Sequence, residues 1–119
     1  MKYGSFMRTI VIALVVLFAT AAVAADPKPM RFWNLTTNTV VDFRAAAPGT
    51  GDWGANQCAN DRDGAVDHDE RLRITGLAPG RYDVKLTFRD GRVCTVRNIE
   101  MKDAGVFSIE DKDLTDCSR

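Results

Sequence analysis

From Tyr82 to Arg89 the chain alternates without a break: Tyr82, Val84, Leu86 and Phe88 take every second place, and Asp83, Lys85, Thr87 and Arg89 fill the others. Successive side chains on a strand point to opposite faces, so this run predicts a strand with one buried face. Asp90-Gly91 follows at once. Both residues tolerate positive φ, which a tight turn between antiparallel strands demands. Arg92 to Ile99 is therefore expected to fold back as the partner strand, with Cys94 and Val96 on a shared face. A hairpin that is apolar on one side needs a second layer to cover it.

Shorter patterns supply that layer. Leu72 and Ile74 alternate with Arg71, Arg73 and Thr75, and Ala78-Pro79-Gly80 turns the chain into the long strand. Arg31–Leu35 and Val40–Arg44 are short, aromatic and β-branched, and Thr36-Thr37-Asn38-Thr39 between them reads as a hairpin connection. Val106–Ile109 adds a further strand, and Asp111–Cys117 is a polar tail with an isolated Leu114. Pro48, Gly49 and Gly51 mark irregular backbone, and no stretch carries the periodicity of a three-turn helix. The expected class is all-β: a small antiparallel β-sandwich or open barrel of about six to seven short strands. Trp33, alternating with Leu35, is expected in its core, and Trp53 is expected to cap it or to present an aromatic ring to a ligand.

The N-terminal region fits export. Lys2 and Arg8 precede an apolar run from Ile10 to Phe18, which continues through Ala and Val to Ala25. That is the order of a secretory signal, and the small residues before Asp26 predict a mature N-terminus at Ala25 or Asp26. An uncleaved anchor needs about 20 apolar residues, more than this uninterrupted run offers. Residues 1–25 are thus expected to be a signal peptide and 26–119 a single β domain, periplasmic or secreted, with no membrane span after cleavage.

Of the 16 Lys+Arg, Lys2 and Arg8 leave with the signal while all 16 Asp+Glu stay, so the mature charge is −2. No global basic field remains to hold nucleic acid. A domain this small has a marginal core and is expected to carry a covalent brace. An oxidising compartment lets two of Cys58, Cys94 and Cys117 pair. A Cys94–Cys117 bond is expected, because Cys94 falls on a buried face and the tail needs anchoring. The spacing matches neither a Cys-x-x-Cys redox motif nor a zinc knuckle.

The stretch with the most chemistry is Asn60 to Glu70, where five carboxylates and one arginine concentrate a charge of −4. Such crowding costs Coulomb energy unless water, arginines or a hard cation relieves it. With Gly64 at the sixth place of a calcium loop, Asp61 falls at three, Asp63 at five, the Ala65 carbonyl at seven, Asp67 at nine and Glu70 at twelve. Val66 takes the apolar eighth place. Ala59 offers no side-chain ligand at the first, so Asn60, Asp69 or another loop must complete the shell, and the flanks are not helical. The expectation is a non-catalytic protein holding calcium or a lanthanide through Asp61, Asp63, Ala65, Asp67, Asp69 and Glu70, with Asp63 and Glu70 the most sensitive ligands. The alternative is a solvated acidic turn, with Arg62, Arg71 or Arg73 compensating its charge, in a metal-free module that binds a periplasmic protein or envelope component through sheet edges or the Trp53 loop.

No enzymatic activity is expected. His68 is the sole histidine, and its place between Asp67 and Asp69 fits an exposed loop residue or an added ligand better than a catalytic triad. A domain of this size also offers little depth for a cleft. Asn34-Leu35-Thr36 spells a glycosylation sequon inside an expected strand.

Pro48-Gly49, Trp53-Gly54-Ala55-Asn56, Gly80-Arg81-Tyr82-Asp83-Val84 and Asp90-Gly91-Arg92-Val93-Cys94 form a series along the mature chain. The series resembles small exported β-sandwich proteins of alphaproteobacteria, which implies the same fold and a periplasmic address. In size and compartment the chain is also similar to periplasmic lanthanide-binding proteins of the landiscernin type. That similarity implies that trivalent ions belong beside calcium as candidates.

Overall fold

A computed structural model describes residues 29–119, so the expected signal peptide and its cleavage point lie outside the described residues. Seven strands follow in order: β1 (Met30–Leu35), β2 (Val40–Ala46), β3 (Arg71–Ile74), β4 (Gly80–Phe88), β5 (Val93–Met101), β6 (Val106–Glu110) and β7 (Thr115–Ser118). They form two sheets, β3-β1-β6 and β2-β4-β5-β7. The only helical elements among the described residues are 3-10 turns at Gln57–Asn60 and Asp111–Asp113. The all-β, two-sheet class is the one that the alternation dictates.

The β4–β5 hairpin forms where Asp90-Gly91 places it. Gly91 takes φ +89°, and Asp90 Oδ1 accepts the Arg92 amide at 2.8 Å. Val84, Leu86 and Phe88 turn inward opposite Leu72, Ile74 and Phe32, all of them buried. Phe32 of β1, Phe43 of β2 and Phe107 of β6 meet between the sheets, with ring centroids 5.0 to 6.1 Å apart. Each fully buried phenylalanine contributes roughly 1.5–3 kcal/mol of transfer free energy.

Three local expectations are corrected. β1 and β2 do not form a hairpin, because they enter different sheets: β1 pairs with β3 and β6, and β2 pairs with β4. The reason is Asn34, which is completely buried and has its side-chain amide satisfied by the connection that follows β1 and by Val66 of the distant acidic loop. Its amide donates to the Asn38 and Val66 carbonyls at 2.9 and 2.8 Å, and its Oδ1 accepts from the Thr36 amide and hydroxyl. The chain therefore crosses from one sheet to the other instead of reversing within one. The same burial removes the sequon's asparagine from the surface of the folded domain. Second, Trp33 is half-exposed, because Met30, Phe32 and Asn34 occupy the inner face of β1. Third, β1 and β6 run parallel, so the sheets are not wholly antiparallel.

The tail Asp111–Cys117 is more ordered than its composition implies. After a 3-10 turn, β7 pairs with β5, and Cys117 is bonded to Cys94 as expected. All four residues of β7 are exposed, so this strand has no core contact of its own and relies on the bond, the ladder and an Arg97–Asp116 ion pair at 3.2 Å. Cys58 is free and wholly buried. Burial pushes its thiol up to about 12, helped by the charges of Asp42 and Asp61. It is a packed side chain rather than a chain-linking or reactive one.

Asp83 joins two irregular segments. It is buried, its Oδ2 accepts the Gly49 amide at 2.9 Å and its Oδ1 the Asn98 amide at 2.9 Å. The Gly49 bond, the Asn98 bond and then Arg97, 3.6 Å away, hold the carboxyl below the usual carboxylate range against the opposing effect of burial. The turn after β2 is thereby tied to the shift in register between β4 and β5.

Candidate functional site

The acidic loop connects the 3-10 turn at Gln57–Asn60 to β3. Val66 anchors its middle: the side chain is buried, and its backbone exchanges two hydrogen bonds with Val40 at 2.8 and 2.9 Å. Gly64 takes φ +69°, as the tight bend at Asp63-Gly64 requires. Around these points the carboxylates act separately. Asp61 Oδ2 accepts the Asp63 amide at 3.0 Å, Asp67 Oδ1 accepts the Thr39 hydroxyl at 2.7 Å, and Glu70 Oε2 accepts the Asp67 amide at 3.0 Å. Asp69, at φ +71°, accepts the Trp33 indole N–H at 3.0 Å. Ala65 is half-buried beside the anchor.

Four of the five acids thus hold the loop's own backbone or a neighbouring side chain, and only the Asp63 carboxylate has no such bond. Among the described residues, no three His, Cys, Asp or Glu side chains come together in a way that could hold a metal ion. The Nδ1 of His68 lies 2.8 Å from the Thr36 carbonyl, so that nitrogen carries the proton and donates it.

Next to this loop lies a surface that the sequence did not single out. On the three-stranded sheet, Arg31 and Trp33 of β1 face outward, with Arg73 and Arg71 of β3 directly opposite them. On the other side of β1, exposed Val106 stands opposite Arg31 and Ser108 opposite Trp33. The Arg71 guanidinium lies over the Trp33 ring, 4.4 Å from its centroid. Among the described residues, none of these three arginines forms an ion pair. The four-stranded sheet is different: Arg44 meets Asp42, Arg81 meets Glu100, and Arg97 meets Asp83 and Asp116.

Like charges directly opposite on neighbouring strands destabilise a sheet. The Arg31–Arg73 pair therefore opposes folding, and an acid group brought between the two guanidiniums would relieve it. A planar fork suits a carboxylate, which it can bind through two parallel hydrogen bonds.

Trp53 lies over the other sheet. It is half-buried, with the Lys85 ammonium 5.1 Å from its ring centroid. Lys85 thus shares with solvent the ring that the sequence offered to a ligand or to the core.

The sheet edges are unequal. Asn60 Nδ2 donates to the Arg73 carbonyl at 2.9 Å and Gln57 Nε2 to the Thr75 carbonyl at 2.9 Å, so the 3-10 turn covers the β3 edge. No helix among the described residues is long and apolar enough to cross a membrane. Comparison with family models, with curated proteins and with solved structures finds no match for this chain.

Proposed function

We propose that the protein is a non-catalytic interaction module of an extracytoplasmic compartment, and that it binds a protein partner bearing acid groups on the outward face of β3-β1-β6. The observation that carries this reading is the set of three outward arginines, Arg31, Arg71 and Arg73, none of which has an acid partner among the described residues. The disulfide between Cys94 and Cys117 fits an oxidising compartment. The resemblance to exported β-sandwich proteins points the same way.

Titration with poly-L-glutamate tests the face. Binding is expected at low ionic strength, weakening as salt is added, and it is expected to be lost in Arg31→Glu/Arg73→Glu while Lys85→Glu leaves it intact. Equal binding by all three proteins would refute the reading.

The second reading keeps a hard cation, calcium or a lanthanide, in the acidic loop. What favours it is Gly64, whose φ of +69° suits the sixth place of a calcium loop between Asp63 and the Ala65 carbonyl. A closed shell requires Asp67 to release the Thr39 hydroxyl and Asp69 to release the Trp33 indole. Lanthanum titration followed by calorimetry and by tryptophan emission therefore decides it. Heat, together with an emission change that Trp33→Phe removes, supports the cation; neither signal at millimolar ion rules it out.

A further inference from the structure

Each sheet has two outer strands, and among the described residues only β6 presents a regular edge that nothing covers. The 3-10 turn covers β3. On β2, the Phe43 amide donates to Asn56 Oδ1 at 3.0 Å, the Ala45 carbonyl accepts the Gly54 amide at 2.9 Å, and Val40 is bonded to Val66. β7 is only four residues long and is broken by Asp116 at φ +47°. β6 has β1 on one side and no strand on the other. The Arg31 amide donates to the Gly105 carbonyl at 3.0 Å, which fixes the phase of this parallel ladder. Phe107 and Ile109 therefore bond toward β1, while Val106, Ser108 and Glu110 turn their backbone groups away from it. Asp113 Oδ2 accepts the Glu110 amide at 2.9 Å. The amides and carbonyls of Val106 and Ser108 have no partner among the described residues. An edge is ordinarily guarded by a lysine, a proline or a bulge, and β6 has none of these.

Beside that edge the sandwich is one strand short. The sheet that ends in β6 has three strands against four in the other, and all of β7 is exposed. An open groove of about 470 Å³ lies here, lined by Ser108 of β6, by Val96 and Ile99 of β5 and by Thr115 of β7. The charged residues at the groove are already engaged, Arg97 with Asp83 and Asp116, and Asp113 with the Glu110 amide. A strand laid along β6 thus meets unpaired backbone groups at its edge and apolar side chains beneath its inward face.

We propose that the partner docks as an extended peptide added to β6, with apolar side chains turned into the groove and acid side chains on the outward face. The inference rests on the arginine face proposed above and specifies the form in which an acid-bearing partner binds it. Neighbouring strands lie about 4.8 Å apart, so the added strand runs roughly 10 Å from β1. Arg31 stands opposite Val106, and its side chain and a glutamate on the added strand, extended toward each other over that short residue, span the gap. Arg73 beside Arg31 adds to the positive potential that draws acids there. Main-chain hydrogen bonds supply the affinity of such a complex, and the alternation of acid and apolar side chains supplies its selectivity.

A fluorescent octapeptide of alternating valine and glutamate is the probe, read by anisotropy on the oxidised protein. Saturable binding is expected at low ionic strength, with the dissociation constant rising roughly tenfold or more at high salt. Alternate amides of a strand point to the same edge. Two further peptides, N-methylated on the valines alone or on the glutamates alone, therefore keep every charge and each block one edge. One of them should bind like the parent and the other roughly tenfold or more weaker. Equal binding of both, or loss of both, overturns the proposal. Ser108→Pro should fold, because the amide it removes takes no part in the β1 ladder, and it should weaken the unmodified peptide roughly tenfold or more; a folded variant that binds like the wild type also overturns the proposal. Should that variant fail to fold, the two methylated peptides decide the question on the wild type. Sedimentation velocity showing self-association that Ser108→Pro abolishes would make a second copy the occupant of β6, against the proposal. Where the strand fails on any of these grounds, poly-L-glutamate bound by the wild type and lost in Arg31→Glu/Arg73→Glu shows that the arginine face still stands, and its absence shows that the face has failed as well.

Discussion

Asn34 donates its side-chain amide to the Val66 carbonyl at 2.8 Å, where neither residue reaches solvent. This bond joins β1 to the centre of the acidic loop, and the loop in turn orients Asp69 against Trp33.

Asn34→Ala is expected to lower stability by about 3 kcal/mol, because it leaves buried carbonyls and the Thr36 amide without partners. Urea unfolding measures the loss. Asn34→Asp should be as harmful, since a carboxylate has no N–H to give to Asn38 or Val66. Stability unchanged in both variants would show that the crossing is held by other contacts.

Asp83 makes the fold sensitive to acid. Its carboxyl titrates below the unfolded value of about 3.9. The stabilisation is therefore complete above that value and is lost as pH falls through the lower folded one. Asp83→Asn should flatten the stability profile below about pH 4. At neutral pH the variant should cost on the order of 1–3 kcal/mol, since one amide carbonyl cannot accept from both Gly49 and Asn98 as the two carboxylate oxygens do. Thermal melts across the acid range read both effects.

Cys58 gives the opposite slope at alkaline pH. A thiol pushed up to about 12 in the folded state contributes stability below its unfolded value of about 8.5, and that contribution is lost as pH rises from there. Cys58→Ala should remove this alkaline slope. A thiol reagent should leave Cys58 untouched in the native protein at neutral pH and modify it fully once denaturant is added.

Reduction of Cys94–Cys117 should release β7 selectively. The bond closes a loop with a sequence separation of 23, and losing it should cost about 3 kcal/mol in the chain-entropy model. Because all of β7 is exposed, hydrogen exchange should accelerate first at Thr115–Ser118, before β4 and the inner part of β5 respond. Uniform acceleration across both sheets would show instead that the tail is integral to the core.

The period-two run from Tyr82 to Phe88, the Asp90-Gly91 turn and the inward places of Leu72, Ile74 and Cys94 were legible in the sequence, because alternation and turn chemistry are local properties. The acidic loop's −4 charge was equally plain. Where each carboxylate goes was not, because Asp67 bonds to Thr39 and Asp69 to Trp33 across 28 and 36 residues. The inward choice at β1 was misread for a related reason. Either Phe32 or Trp33 could have faced the core, and the hydrogen bonds that Asn34 finds only in the folded chain selected Phe32. The alternation of Arg71 with Leu72 and Arg73 with Ile74 showed that these arginines face outward. That Arg73 stands opposite Arg31, and Arg71 over Trp33, depends on which strands become neighbours. Tertiary structure alone decides that pairing, because it brings residues some forty positions apart to one surface.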